Sequence, residues 1–340
     1  MKNKVKVGNL TIGGGAPVVV QSMTKTDTRD TTSTLAQINR LVDFGCELVR
    51  CAVPDEVAAN ALKEIVTKST IPICADIHFD YRLALLSLEA GVHKLRLNPG
   101  NIKDPEKIKL VGREAKDRHI PIRVGVNAGS LSHTTNLAQE AVDAALKEAQ
   151  ILEEIDFQDI VVSVKTSDIQ TNIEANRLLS QRCNYPIHIG LTEAGPLISG
   201  LVRSSACILP LLKEGIGDTI RVSLTDEPEF EVEAAWALLE TTNRRFYGPV
   251  IISCPNCGRT HKGMRDGLVR IRMALKGVKK IKLAVMGCEV NGPGEAKDAD
   301  CGIAFGENKC AVFEKGKIIG TFQPDEAVRI LVDIARRISD

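Results

Sequence analysis

Cys254 and Cys257 in "SCPNCGRT" and Cys288 in "GCEVNGPGEA" are the residues whose type and spacing point most directly to chemistry. A C-x-x-C pair with a third, distant thiolate is a soft donor set for zinc or for an iron–sulfur cluster, and each ordinarily takes four protein ligands. A zinc ribbon would bring a second C-x-x-C knuckle, whereas Cys288 is followed by glycine, proline and a carboxylate. The C-x-x-x-C-x-x-C pattern of radical enzymes is absent. Cys301 and Cys310 lie nearby in a different sequence environment, so the fourth ligand stays open on spacing alone. The other thiols, Cys46, Cys51, Cys74, Cys183 and Cys207, sit in segments of mixed apolar character and read as small buried hydrophobes.

A second set is cationic. Arg50, Arg96, Arg123, Lys165 and Arg221 fall in segments that read as strands, where an unpaired buried charge is very costly. They need a shared anion, and convergent arginines suit bidentate recognition of phosphate. Asn127 shares strand parity with Arg123, and Ser223 with Arg221, so each pair faces one side. Asp76 and His78 in "ADIHF" share a face in the same way, and Glu193 ends "LTE"; each of the three is a candidate acid or base. The competing reading pairs some of the cations with Asp76 and Glu193 or turns them outward between helices. "LRLNPGN" is either a plain turn or a loop whose backbone N–H groups meet a phosphate.

Positioning these residues takes a scaffold with a regular beat. Eight β-rich runs recur at residues 18–23, 48–53, 71–79, 94–100, 120–127, 160–167, 187–195 and 219–225, separated by segments of helical period such as "TSTLAQINRLVDFG". Eight β/α units in that length predict a closed (β/α)8 TIM-type barrel, whose active sites lie at the C-terminal ends of the strands. The open doubly wound alternative lacks a G-x-G-x-x-G after the first strand. A helical stretch, "EFEVEAAWALLETTNRRF", then leads to a boundary, giving a substrate-binding barrel over 1–245 and a smaller α/β domain over 246–340. In the latter, "KGMRDGLVRIRMALKG" reads as a helix, "KKIKLAVMG" as a strand, residues 301–322 as strands joined by turns, and "PDEAVRILVDIARRISD" as a closing amphipathic helix. So small a domain gains from a metal site.

Composition narrows the function classes. The 340 residues are 44% hydrophobic with a formal net charge of +1, which supplies no basic footprint for nucleic acid. No apolar run approaches the ~20 residues that cross a bilayer. "MKNKVKVGNL" lacks the apolar region of a signal peptide, so a cytoplasmic location is expected, and there clustered thiols more often hold metals than form disulfides.

Taken in order, "QSMTKTDTRD", "CADIHF", "LRLNPGN", "RVGVNAGSL", "GLTEAG", "SCPNCGRT" and "GCEVNGPGEA" resemble the 4-hydroxy-3-methylbut-2-enyl diphosphate synthase family, in its two-domain bacterial form. The resemblance spans nearly the whole chain. It implies one 4Fe-4S cluster on Cys254, Cys257, Cys288 and Glu295, in a domain resembling a sulfite/nitrite reductase half. A hard carboxylate oxygen on one iron is more readily displaced than a thiolate, which suits a catalytic cluster. The resemblance also implies a substrate, 2-C-methyl-D-erythritol 2,4-cyclodiphosphate, held by Arg50, Arg96, Arg123, Asn127, Lys165, Arg221 and Ser223. His78 would lie close to the phosphates, Glu193 and Asp76 near the reacting carbons, and Asn291 beside the open iron. The implied reaction is a two-electron reductive ring opening with loss of water, fed by flavodoxin or ferredoxin, with Glu193 assisting protonation of the departing hydroxyl.

The helix after the last barrel strand returns the chain toward the face opposite the expected site. The resemblance implies a head-to-tail homodimer in which one cluster domain caps the other barrel. Two other classes stay open on the residues alone: a zinc-stabilised barrel acting as a binding module, and a phosphate-substrate lyase or transferase with a structural metal.

Overall fold

No strand is expected before residue 18, yet Val5–Val7 (β1) and Leu10–Ile12 (β2) pair as an antiparallel hairpin. The signal was present in "VKVGNLTI": Gly8, with φ 57°, and Asn9 form the two-residue loop that such short alternating segments require. The structure is a computed structural model describing residues 2–78, 80–98, 102, 104–127, 136–254, 257–278, 281–288, 296 and 298–339.

Eight parallel strands follow: β3 (Val19–Met23), β4 (Leu48–Val53), β5 (Ile73–Ile77), β6 (Lys94–Leu97), β7 (Ile122–Asn127), β8 (Ile160–Lys165), β9 (His188–Ile189) and β10 (Thr219–Ile220). Each pairs with its successor from β3 to β8, β9 pairs with β10, and β10 returns to β3. A bridge between Val162 and Ile187 joins β8 to β9 and completes the ring. The eight helices α1 (Thr31–Asp43), α2 (Glu56–Lys68), α3 (Tyr81–Glu89), α4 (Pro105–Asp117), α5 (Leu137–Glu153), α6 (Ile169–Arg182), α7 (Leu197–Lys213) and α8 (Pro228–Thr241) alternate with them. This is the TIM-type barrel that the strand–helix beat predicts.

Asp30, Asp55, Asp80, Asp104 and Asp168 cap the N-termini of α1, α2, α3, α4 and α6 through their carboxylates, so the strand-to-helix turns are set locally. Strands β9 and β10 are far shorter than the runs 187–195 and 219–225. Leu191, Ala194 and Leu224 are buried as loop residues, so burial continued the apolar pattern after pairing had ceased. The floor of the barrel is apolar: Val5, Val7 and Ile12 of the hairpin pack with Val19, Leu48, Cys74 and Val161.

The chain divides into two units, Met1–Arg245 and Phe246–Asp340. The second holds a five-stranded sheet in the order β11 (Val250–Ser253), β12 (Lys282–Met286), β13 (Cys301–Phe305), β14 (Cys310–Glu314), β15 (Lys317–Phe322). The first three strands are parallel and the last three antiparallel. Alternation along β12 sends Leu283 and Val285 into a core with Met264 and Ile271 of α9 (Met264–Ala274) and Leu331 of α10 (Pro324–Ser339). Ala284 and Met286 face the other side, against Ala296, Ala304 and Phe313.

Candidate active site

At and just beyond the C-terminal ends of the barrel strands lies a cavity of about 170 Å³. Arg50, Asp76, His78, Arg96, Arg123, Asn127, Lys165, Arg221 and Ser223 line it, together with Ser163, Leu191 and Thr192. Strand pairing brings them together: Arg96 is in register with both Asp76 and Arg123, and Asn127 with Lys165.

Asp76 is the electrostatic hub. Its Oδ1 lies 3.1 Å from Arg96 Nη1, and its Oδ2 lies 3.2 Å from His78 Nε2 and 3.5 Å from Arg50 Nε. Burial alone would push the carboxyl up, but the Arg50 charge, the His78 hydrogen bond and the Arg96 charge outweigh it and hold Asp76 well below the usual carboxylate range. Arg50 also donates to Met23 Sδ, and Arg123 Nη1 donates to Ser163 Oγ at 3.1 Å.

The cations are less well matched. Burial lowers the affinity of Arg96, Arg123, Lys165 and Arg221 for their protons, most strongly at Arg123 and Lys165, where neighbouring positive charges add to it. The Nε atoms of Arg96, Arg123 and Arg221 are buried and lack hydrogen-bond partners among the described residues. Such a set is arranged for an anion rather than for its own stability.

Several contributors escaped the sequence reading. Glu231 on α8, 1% exposed, accepts from Ser22 Oγ and the Leu224 N–H and pairs with Arg221 Nη2 at 3.4 Å, so it fixes Arg221 from behind the strands. A charged residue on the apolar face of "EVEAAWALL" was its signal. Gly190 makes room for Lys165: a Cβ there would stand 2.7 Å from Lys165 Nζ and 2.5 Å from the Arg221 carbonyl oxygen. Gly125 likewise lets Arg96 Nε approach, at 3.2 Å from where a Cβ would lie.

Glu193 does not line the cavity. It is exposed, four residues past the end of β9, in a left-handed conformation with φ 53°. A glutamate held there is strained, a condition that clusters at functional sites. Asn291 and Glu295 lie outside the described residues, as do Pro99, Gly100 and Asn101 of "LRLNPGN".

The thiols of the second unit stand beyond two neighbouring parallel strands. Ser253 of β11 is in register with Val285 of β12, so Cys254 and Cys288 follow adjacent strand ends. The Gly287 N–H donates to Cys254 Sγ at 3.1 Å, a bond that suits a thiolate. Cys257 is exposed, and backbone donation from Arg259, aided by the Thr260 hydroxyl and the Arg259 charge, pulls its thiol below the ordinary value. Cys46, Cys51, Cys207 and Cys301 are the opposite case, pushed up to about 12 by burial. Among the described residues no three His, Cys, Asp or Glu side chains are gathered as a metal site. The donor chemistry of Cys254, Cys257 and Cys288 fits a thiophilic group all the same: the Gly287 N–H donates to Cys254, and Cys257 is the thiol whose proton affinity is lowered.

Comparison with known proteins agrees with both units. Residues 2–236 match the GcpE TIM-barrel domain and residues 250–337 match the GcpE protein C-terminal domain. A Dehalococcoides mccartyi protein named 4-hydroxy-3-methylbut-2-en-1-yl diphosphate synthase (flavodoxin) is 53% identical over 334 residues, covering 97% of this chain and 96% of its own. Its namesake from Thermodesulfovibrio yellowstonii is 52% identical over 343 residues, with 98% of each chain covered. Among solved structures, dihydropteroate synthase from Xanthomonas albilineans superposes with a TM-score of 0.53 at 13% identity, over 72% of this chain and 98% of the other, a likeness of barrel fold alone. By sequence over nearly its whole length, the chain belongs to the GcpE family.

Proposed function

We propose that the chain carries out the reaction for which its relatives are named, converting 2-C-methyl-D-erythritol 2,4-cyclodiphosphate to (E)-4-hydroxy-3-methylbut-2-enyl diphosphate in the non-mevalonate route to isoprenoids. The observation that carries this reading is the cavity itself, in which four cations from four strands and Arg221, just past a fifth, converge where a barrel enzyme binds substrate. Arg50, Arg96, Arg123, Lys165 and Arg221 hold the diphosphate in this reading, with Asn127 and Ser223 donating to its oxygens and His78 at its edge. Asp76, kept ionised, aims Arg50 and Arg96 rather than exchanging protons. Glu193, in the loop beside Thr192, protonates the departing hydroxyl.

The reaction takes up two electrons, breaks a carbon–oxygen bond of the ring and releases a hydroxyl as water. Cys254, Cys257, Cys288 and Glu295 would hold one 4Fe-4S cluster, with Asn291 orienting groups beside it. Such a cluster passes electrons singly and offers one iron whose carboxylate ligand is easily displaced. Flavodoxin, printed in the relatives' names, is the proposed donor, with ferredoxin as its substitute. A head-to-tail homodimer would present one copy's thiol domain to the other copy's cavity. Mixing an Arg123→Met chain with a Cys254→Ser chain should then restore part of the activity that each has lost.

The deciding experiment is anaerobic purification, iron, sulfide and zinc analysis, and incubation of the cyclodiphosphate with a chemical reductant. Iron and sulfide with reductant-dependent product support the reading. Stoichiometric zinc with no turnover would favour the binding module, and turnover without reductant the lyase.

A further inference from the structure

Below the cavity, the barrel interior carries charge that the proposed reaction leaves unused. Lys94 opens β6 two residues before Arg96 and shares its face, one step nearer the apolar floor. It is fully buried, and its Nζ has no hydrogen-bond partner among the described residues. The same is true of both amide-end atoms of Gln21 on β3 and of Nε2 of His188 on β9, whose Nδ1 is engaged with Thr219 Oγ1 at 2.6 Å.

The groups that act on Lys94 come from β4, β5, β7 and β9. Cys74 on β5 is a thiol kept protonated by burial, while Arg50 on β4 and Arg123 on β7 are positive. His188 is held neutral by burial and by the cations around it, Lys94 included. The carboxylate of Asp76 is already engaged by Arg50 and Arg96. Among the described residues Lys94 therefore has no carboxylate of its own, and the acidic group that acts on it is the Cys74 thiol.

We propose that Lys94 is a proton-accepting counter-ion for the cavity: neutral in the free protein, it takes up one proton when a diphosphate binds above it. The inference rests on the diphosphate reading of the cavity. Burial, opposed by Cys74 and reinforced by Arg123 and Arg50, pushes the ammonium down to about 7, so the free side chain is mostly neutral at pH 8. Two negative charges on the barrel axis offset the surrounding cations and raise it. The barrel interior then never carries its full positive charge without the anion that balances it.

The sign of the pH dependence follows from this linkage. Below pH 7 the lysine is already protonated and binding takes up little. Above pH 7 binding must draw in a proton, so affinity falls about tenfold per pH unit until the bound-state value is passed. The cyclodiphosphate carries one strongly acidic oxygen on each phosphorus and no group titrating near neutrality, so the protons counted belong to the protein.

The test is calorimetry of cyclodiphosphate binding to the anaerobically prepared full-length protein without reductant, in pairs of buffers of different ionisation heat. Close to one proton taken up per ligand at pH 8, less than half at pH 6, and none at pH 8 in Lys94→Met would support the proposal. Binding with no uptake at pH 8 in the native protein overturns it, and that count stands even if the variant fails to fold. Glu148 on α5, a buried carboxyl pushed up to about 8 that feels Arg96, is one competing acceptor, and Lys165 and His188, both held low by burial and by neighbouring cations, are two more. Uptake that survives Lys94→Met overturns the assignment to Lys94 whichever of them accounts for it, and its loss in Glu148→Gln would mark the carboxyl as the acceptor. No heat of binding at any pH overturns the diphosphate reading and this inference with it, whereas binding without uptake overturns the inference alone.

Discussion

In the barrel, each cationic side chain leaves a strand, or the residue just after one, whose neighbours on both sides fix its direction. In the second unit, Cys254 stands one residue beyond β11, Cys257 four residues beyond it, and Cys288 two residues beyond β12. The barrel residues are held whether or not a ligand is present, and the cost of that preorganisation is buried charge: Arg50, Arg96, Arg123, Lys165 and Arg221 outnumber Asp76 and Glu231. The thiols carry no such burden, and on the proposed reading they would gain their order from the group they hold. One half of the proposed chemistry is thus built into the fold, and the other would be completed by metal binding.

The largest effect expected is at the thiols. Cys254→Ser or Cys288→Ser should abolish iron and sulfide content and turnover while leaving cyclodiphosphate binding unchanged, whereas Cys301→Ala and Cys310→Ala should keep iron and activity. Loss of substrate affinity in the first pair would erase the contrast between the two regions. Next is Asp76→Asn, which leaves Arg50 and Arg96 without their carboxylate and should cost about 3–5 kcal/mol in urea unfolding at pH 7. Because the folded-state value of Asp76 lies below the unfolded one, its contribution is complete above about pH 4 and is lost as pH falls further, so wild type and variant should converge in acid.

Arg123→Met sharpens the same point from the cationic side. It should lose about 2–5 kcal/mol of diphosphate affinity without lowering the urea midpoint, since a buried guanidinium is replaced by an apolar chain. A parallel fall in stability would make Arg123 a structural residue. The smallest expected effect is that of Glu193→Gln, which should slow kcat on the order of 100-fold with little change in KM. Near-normal kcat would leave its strained backbone without a catalytic purpose.

How far this comparison could be read from the sequence depended on periodicity. The cations of β4, β6, β7 and β8 were legible because a charged residue inside an apolar run stands out, and parity then placed Asn127 and Ser223 beside them. Lys94 carried the same signal and was missed, because in strands buried on both faces the apolar run does not reveal which residues face the axis. Glu193 was read as a strand end because "IHIGL" stays apolar past Ile189, but burial of Leu191 in a loop produces the same pattern. Glu231 and Gly190 act through residues distant in sequence, and local pattern cannot show such partners. In the second unit the strands and helices followed their periods, whereas the thiols lie on loops, and only their spacing and their resemblance to a family gave them meaning.

The hairpin that seals the barrel floor has a consequence for how the molecule is made. Its lysine neighbour, Lys2, donates to the carbonyls of Ser180 and Cys183, and the Asn3 N–H donates to Asn184. Val5, Val7 and Ile12 need Val161 to complete their packing. These partners lie about 150–180 residues further along the chain, so docking the hairpin closes a long loop whose entropy must be offset before the contacts reward it. The hairpin therefore finds its place late in folding and locks the floor only after the strands it packs on have formed.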